Sequence, residues 1–194
     1  MGKVRFGLEK AHYALETDGG WATPKPLRGA VSLNIEPEGE TNTFFADDTA
    51  YAVFSTNAGY SGELEISSLE DDAAVDLLGE SKDSKDGVYE DTDAQPKKFA
   101  LLFMVKGNEK DQKFAFYECT VSRPSMSANT TTDSTDPDTV TLPFKAAPHE
   151  MLLGAGGSEV TKKVVKYSME LSTKNAAEYA AWFTAVQKPT VAAA

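Results

Sequence analysis

Residues 29–68 decide the fold, and they read GAVSLNIEPEGETNTFFADDTAYAVFSTNAGYSGELEISS. Apolar and polar residues alternate near both ends of this stretch. The apolar positions are Val31, Leu33, Ile35, Leu64 and Ile66, and the polar positions are Ser32, Asn34, Glu36, Glu63 and Glu65. Such alternation is typical of strands with one buried face. We therefore expect two half-buried strands whose polar side chains lie on the face opposite the core.

The connection between these strands, at about residues 37–59, is too long for an ordinary hairpin loop. It is rich in large aromatic side chains: Phe44, Phe45, Tyr51 and Phe54. Because a single small domain cannot bury all of them, we expect a long projecting loop that docks on another surface.

Composition and charge restrict the class of protein. The chain has 194 residues, with 19 Lys and Arg against 30 Asp and Glu, and its net charge is -11. One domain spanning residues 1–194 is the simplest organisation for this length. An acidic chain repels nucleic acid and anionic membrane surfaces. The sequence has no run of 18 apolar residues and no apolar block of a signal peptide, so we expect a soluble protein made in the cytoplasm.

Strand patterns are weak in the first part of the chain. Pro24 and Pro26 hold the residues before them in extended conformations, and Trp21 precedes them. We expect residues 1–28, approximately, to form an extended N-terminal arm that lies on this subunit or on a neighbour.

Two helices are expected. The first, near residues 69–78, would begin with a capping box formed by Ser68 and Asp71 and end at Gly79, with Val75 and Leu78 facing inward. The second, near residues 175–187, has an apolar stripe with helical spacing. The stripe consists of Ala176, Tyr179, Ala180, Phe183 and Val186.

Further strands are predicted between these helices. Residues 99–105 are apolar without alternation, which indicates a strand covered on both faces. In the next strand, simple alternation places Ala115, Tyr117, Cys119 and Val121 on one face and Phe114 and Phe116 on the other. We expect the C-terminal helix or a partner subunit to cover the face with the two phenylalanines. Cys119, the only cysteine, is expected to be a small buried hydrophobe.

Residues that could carry catalysis are scarce. His12 and His149 are the only histidines, and neither has metal-ligand spacing. Glu63 and Glu65 lie on one strand face, which leaves a glycosidase with paired carboxylates open. Acidic residues within 133–138 could collect a hard cation, but such clusters in an acidic chain are usually only solvated. We expect a protein that is not an enzyme, with no cofactor and no specific metal site.

A set of short motifs occurs in a fixed order along nearly the whole chain. They are VRFGL (residues 4–8), AHYA (11–14), PLRGAVSL (26–33), EPEG (36–39), FADD (45–48), GYSG (59–62), FALLF (99–103), SRPS (122–125) and the segment 173–186. None is diagnostic alone, but together they resemble the major tail proteins of long-tailed, non-contractile bacteriophages, in particular the phi13-type family.

This resemblance implies a mainly β fold, a β-sandwich or partly closed β-barrel with a flanking helix. It also implies six-membered rings that stack into the tail tube, through which the genome leaves. In such a tube the expected channel-lining residues are Ser32, Asn34, Glu36, Glu63 and Glu65, and the expected contacts with other subunits or rings are Trp21, Phe44, Phe45, Tyr51 and Phe54. The expected partners are further copies of the chain, the tape-measure protein, and tail terminator and tip proteins. DNA would pass without specific binding, and the protein would reside in the virion tail.

Two other functions remain open from the residues alone. A soluble β-sandwich that binds carbohydrate or protein, or another phage tail component, would also explain surface aromatics. The glycosidase that uses Glu63 or Glu65 is the third alternative.

Overall fold

A computed structural model describes residues 2–46, 48–126, 130, 138–154 and 159–190. The fold is mainly β. The strands are β1 (Arg5–Thr17), β2 (Gly20–Trp21), β3 (Lys25–Pro26), β4 (Ala30–Glu38), β5 (Thr41–Ala46), β6 (Thr49–Ser55), β7 (Gly59–Ile66), β8 (Ser81–Lys82), β9 (Val88–Tyr89), β10 (Phe99–Gly107), β11 (Gln112–Val121), β12 (Val140–Ala147), β13 (His149–Leu153), β14 (Val160–Val164) and β15 (Lys166–Glu170). The helices are α1 (Asp71–Leu77) and α2 (Ala176–Ala180), and a 3₁₀ helix (Ala181–Phe183) follows α2.

One large antiparallel sheet organises the chain. Its strand order is β2-β1-β10-β11-β12-β7-β4, with β15 also paired to β11 and β3 to β1. The sheet curls, so that the start of β1 approaches β4 without pairing, across a groove of about 480 Å³ lined by residues such as Phe6 and Leu33. The mainly β prediction is confirmed, and the architecture is consistent with a β-sandwich. The described strands do not close into a barrel.

Both faces of β10 are covered, as its unbroken apolar sequence predicts. Leu101 and Phe103 point into the larger core, which also contains Ile66 of β7. Ala100 and Leu102, each 0% exposed, point into a second core on the other side of the sheet. Because both faces are dry, the central strands hold the two halves of the fold together.

A β-bulge in β11 overturns the predicted faces of that strand. Phe116 pairs with Leu101 of β10, whereas Cys119 pairs with Phe99, so β11 carries one extra residue between them. Cys119 therefore lies in the larger core together with Phe116, and it does not share the face of Tyr117. Burial raises the pKa of the Cys119 thiol to about 12, as expected for a cysteine that behaves as a small hydrophobe.

The first part of the chain belongs to the sheet. β1 pairs with β10 over most of its 13 residues, interrupted by two bulges near Gly7 and Lys10, which both have positive φ. Strands β2 and β3 pair back onto β1, and Leu27 is buried in the larger core. Of the two expected placements for this segment, on this subunit or on a neighbour, the structure has the first, with its strands paired into the sheet.

Helix α1 forms where the sequence predicts it but is shorter. Glu70 is the N-cap and makes no side-chain cap, so the predicted capping box is absent. Gly79 ends the helical segment with a φ of 78°, and an added Cβ there would collide with the carbonyl oxygen of Gln95. Leu78 is buried as expected, while Val75 is only half-buried. The side chains that anchor α1 itself are Ala73, Ala74 and Leu77.

The C-terminal helix differs from its prediction. Residues of the expected stripe such as Ala176 and Ala180 are exposed, and α2 gives way to the 3₁₀ helix after Ala180. The anchor is Trp182, which is 0% exposed and donates its indole N–H to the Phe114 carbonyl oxygen at 3.2 Å. Its side chain fills the second core, so this segment covers the face of Tyr117, not the face expected from the sequence.

A buried lysine fixes the same segment to the sheet. Lys113 of β11 is 6% exposed, and its Nζ donates to the carbonyl oxygen of Tyr179 at 2.6 Å. The ammonium also lies 3.8 Å from the centre of the Tyr179 ring. Burial lowers the pKa of Lys113 from its ordinary value. Because Tyr179 lies near the C-terminal end of α2, the positive charge of Lys113 also interacts favourably with the negative end of the helix dipole.

We predict that Trp182→Ala destabilises the protein by about 3–5 kcal/mol, because it leaves a large cavity in the second core. Phe183→Ala should cost less, since Phe183 is only half-buried. Urea unfolding of both variants measures the two losses in free energy. A loss for Phe183→Ala equal to that of Trp182→Ala would contradict the assignment of Trp182 as the anchor.

A polar network joins α1 to the N-terminal strands. Asp76 accepts hydrogen bonds from the Tyr13 hydroxyl at 2.8 Å and from Lys25 Nζ at 2.5 Å. Partial burial opposes ionisation of Asp76, but the bonds from Lys25 and Tyr13 outweigh it and lower the pKa of the carboxyl. The ionised carboxylate is thus the form that the fold favours.

The stability that Asp76 contributes should depend on pH. It is present in full above the ordinary aspartate pKa of about 3.9 and is lost as the pH falls through the lower folded-state pKa. We predict that Asp76→Asn destabilises the protein at pH 7 and that the difference from the wild type shrinks on acidification. Unfolding free energies measured at several pH values between 2 and 7 check this, and a difference that stays constant would contradict it.

Candidate functional site

The predicted polar residues do come together on one side of β4, β7 and β12. Cross-strand pairing aligns three rows, and we call this surface the polar face. The rows are Ser32–Glu65–Thr141, Asn34–Glu63–Pro143 and Glu36–Ser61–Lys145. Leu64 and Ile66 of β7 are buried on the opposite side, so the alternation in the sequence places both sets correctly.

Val31 is the exception to this pattern. The register between β4 and β7 shifts between Ala30 and Ser32, so an extra residue of β4 bulges at this point. Val31 is 54% exposed as a result, while Ala30 packs against the larger core in its place. The prediction that Val31 faces the core is wrong, because alternation alone cannot register a bulge.

Hydrogen bonds hold the Glu65 carboxylate on the polar face. The Thr139 hydroxyl donates to Oε1 at 2.7 Å, and the Ser32 hydroxyl donates to Oε2 at 2.8 Å. These bonds, Thr139 first, lower the pKa of Glu65. The residue therefore presents a fixed negative charge, whereas the general acid of a glycosidase needs a raised pKa.

Negative charge predominates on the polar face. Glu36, Glu63 and Glu65 lie in its rows, and Glu38 continues β4, where Lys145 Nζ is 3.2 Å from its Oε1. Among the nine residues of the three aligned rows, Lys145 is the one basic residue, against three glutamates. The face also contains a shallow depression of about 440 Å³, open to solvent. A surface of this kind repels polyanions and offers few groups that could bind them.

Gly62 shapes the sheet beneath the polar face. It pairs with Phe144 of β12, whose ring lies over the glycine. A Cβ at Gly62 would lie 2.7 Å from Phe144 Cζ and also collide with the Asn34 carbonyl oxygen. The missing side chain thus allows β4, β7 and β12 to pack closely where the depression forms.

The second candidate surface is a β-hairpin, where the sequence predicts a projecting loop. Strands β5 and β6 pair with each other and form a separate two-stranded sheet, which we call the distal hairpin (residues 41–55). Backbone bonds from Thr56 N–H to Glu40 O and from Ala58 N–H to Glu38 O connect it to the β4–β7 ladder. Within the expected projecting loop, residues 41–46 and 49–55 are thus paired strands that follow directly on the β4–β7 ladder.

The distal hairpin exposes large apolar side chains. The exposed fractions are 57% for Phe44, 75% for Tyr51, 62% for Val53 and 62% for Phe54. Phe44 and Tyr51 contact each other edge to face at 6.4 Å. The side chain of Phe45 lies outside the described part of the chain. Clustered exposed aromatics mark a surface that contacts another molecule.

Trp21 lies apart from these surfaces, against its own subunit. Its indole N–H donates to the Tyr117 carbonyl oxygen at 3.1 Å, and its ring is 4.9 Å from the His149 ring. The side chain is half-buried and packs on the second core. Only the remaining exposed part of Trp21 is accessible to a neighbouring subunit.

The polar face carries no histidine among the described residues. His12 stacks on Phe183 at 4.7 Å, and His149 lies beside Trp21. A hydroxyl of the polar face thus has no imidazole base at hand. Acidic residues 133 and 136, weighed above as cation ligands, lie outside the described ranges. In the part of the chain that the structure describes, no helix is long and apolar enough to cross a membrane.

Comparison with known proteins identifies the chain's family. A family model described as phage tail tube protein matches residues 7–189, nearly the whole length of the chain. No match is found among curated proteins. The extent of the family match, together with a mainly β fold that presents an acidic face and an exposed aromatic hairpin, leads to one conclusion. The chain belongs to the phage tail tube protein family and is a structural protein of the phage tail.

Proposed function

We propose that copies of this chain form six-membered rings that stack into the tail tube, with the polar face lining the channel through which DNA is ejected. The observation that carries the proposal is the acidic excess of the polar face, with the Glu65 charge held by two hydrogen bonds. DNA-binding proteins displace counterions with cationic contacts. A wall of carboxylates lacks those contacts, so DNA slides without adhering.

The edge of the sheet supports joining between copies. β4 is the last strand of the large sheet, and its free edge borders the open groove toward β1. An uncovered edge strand carries unpaired backbone donors and acceptors, which favour pairing with another chain. In a closed ring, each copy uses the same two surfaces and no edge remains free.

The distal hairpin supplies contacts between subunits or between rings. Its exposed Phe44, Tyr51 and Phe54 become buried when a neighbouring copy covers them. The further proposed partners are the tape-measure protein and the tail terminator and tip proteins.

Charge reversal tests the channel assignment. We predict that the double change Glu63→Lys and Glu65→Lys leaves folding nearly intact, because both carboxylates face solvent. Tubes of this variant should retain DNA at low salt and release it as salt rises, because cationic contacts exchange with counterions. DNA retention by purified tubes across a salt series measures the effect.

The matched control reverses two exposed acids elsewhere, Glu109→Lys and Glu178→Lys, with the same change in net charge. Its tubes should not retain DNA. Equal retention by both variants would show an effect of net charge alone, and no retention by the first would place Glu63 and Glu65 away from the channel.

A shortened hairpin tests the assembly contacts. We predict that replacing residues 41–55 by Asn-Gly leaves a folded protein, because Glu40 and Thr56 are already hydrogen-bonded and Asn-Gly favours a tight turn. The variant should not form tubes, which negative-stain microscopy and sedimentation can show. The double variant Phe44→Ser and Phe54→Ser is a milder test, which keeps the hairpin and should weaken tube formation.

Leu152→Ser is the matched control, since Leu152 is 53% exposed but lies on β13, outside the distal hairpin. It should assemble normally. Normal tubes from the shortened variant would remove the hairpin from the interface. A folded wild-type protein that stays monomeric at every concentration would contradict the proposed self-assembly itself.

A further inference from the structure

Three potential metal ligands meet at a place that the tube function does not use. Glu16 of β1, Glu118 of β11 and His149 of β13 each offer one ligand atom, and the three atoms lie within 4.8 Å of one another. His149 Nδ1 is 3.0 Å from Glu118 Oε2 and 3.6 Å from Glu16 Oε1. It is the one such group found in the described part of the chain.

These distances suit a tetrahedral ion. Zinc binds imidazole nitrogen and carboxylate oxygen at about 2.0–2.2 Å, which separates neighbouring ligand atoms by roughly 3.3–3.6 Å. The distance from His149 Nδ1 to Glu16 Oε1, 3.6 Å, is at the upper end of that range, and the distance to Glu118 Oε2, 3.0 Å, is slightly shorter than it. Small side-chain adjustments would therefore place an ion at bonding distance from all three residues.

The surroundings favour a defined site over a solvated cluster. The side chains of Glu16, Glu118 and His149 are 29%, 19% and 17% exposed, so the backbone and neighbouring rings restrict them. The Trp21 ring is 4.9 Å from the His149 ring and limits its rotation. A depression of about 300 Å³ reaches Glu16 and His149 and provides access for an ion and a water ligand.

One cation already contacts the group. Lys98 Nζ is 2.6 Å from Glu118 Oε1, whereas Oε2 of the same carboxylate faces His149. The lysine side chain is 55% exposed, so it can remain on Oε1 or move into solvent. Oε2 is thus available to an ion without disturbing the backbone.

We propose that Glu16, Glu118 and His149 bind one divalent transition-metal ion of the zinc type, with water as the fourth ligand. The three residues come from β1, β11 and β13, and β13 belongs to a separate two-stranded sheet with β14. The ion fastens that hairpin to the main sheet. This inference is independent of the channel and the distal hairpin, because none of its residues lies on either surface.

Cobalt binding to the untagged chain of 194 residues tests the proposal. Protein stripped with a chelator and titrated with Co²⁺ should bind one equivalent and show the strong visible absorption of four-coordinate cobalt. His149→Gln and Glu118→Gln should each weaken binding at least tenfold, since each removes a ligand. Zn²⁺ should compete with Co²⁺ and raise the melting temperature of the wild type but not of the variants.

His12→Gln is the matched control, because His12 is the other histidine and its Nδ1 contacts only the Lys10 carbonyl oxygen among the hydrogen bonds described. It should bind Co²⁺ as the wild type does. Circular dichroism establishes that each variant is folded, and Glu16→Gln replaces any variant that is not. A folded wild type without stoichiometric Co²⁺ binding, or unchanged binding by folded His149→Gln, would overturn the site and leave only an ion-pair network.

Discussion

The burial of the β10–β11 hairpin on both faces is the constraint on which the rest of the structure depends. Ala100, Leu102 and Ala115 are 0% exposed, so the backbone at this point has no water on either side. Every peptide group must then be paired within the sheet, which fixes the neighbours of β10 and β11. On one side the curled strands β7 and β12 and helix α1 complete the larger core. On the other side Trp182 and the β13–β14 hairpin complete the second core. The polar face and the distal hairpin lie outside both cores, so their side chains are not needed for the packing of this chain.

Sequence patterns predict the strands whose alternation is unbroken and fail where a bulge intervenes. The polar face follows from β4 and β7, because alternation places Glu63 and Glu65 on one side whatever the partners are. β1 contains two bulges, so its apolar residues lose their period, and a strand of 13 residues resembles an irregular arm. The bulge after Phe116 likewise reverses the side taken by Cys119. A bulge is defined by the register between a strand and its neighbour. The sequence of the strand alone therefore does not predict it.

Contacts between distant segments were beyond prediction for a related reason. In the C-terminal segment, helical spacing favours Phe183 as the anchor. In the structure it is Trp182, one position earlier, that is buried in the second core, while Phe183 is only partly buried. Glu16, Glu118 and His149 show no ligand spacing, because three separate strands bring them together. The aromatic side chains of the distal hairpin mark it in the sequence as an exposed segment, but its two strands are not predictable from the sequence. Its strands extend the β4–β7 ladder and have no core of their own, so the pattern of burial that identifies a strand is missing.

The charge of the chain decides what must drive its assembly. Each copy carries a net charge of -11, so copies repel one another, although screening limits that repulsion to about 8–10 Å at physiological salt. The distal hairpin exposes four large apolar side chains, each between 57% and 75% accessible. Covering them contributes roughly 4–8 kcal/mol per copy, at about 1.5–3 kcal/mol for each complete burial. That gain acts at direct contact, where apolar surface is removed from water, whereas repulsion between exposed carboxylates is weakened by salt. In the proposed tube an acidic channel and self-assembly are therefore compatible, because the carboxylates of the polar face lie on β4 and β7 whereas the exposed aromatic side chains lie on β5 and β6.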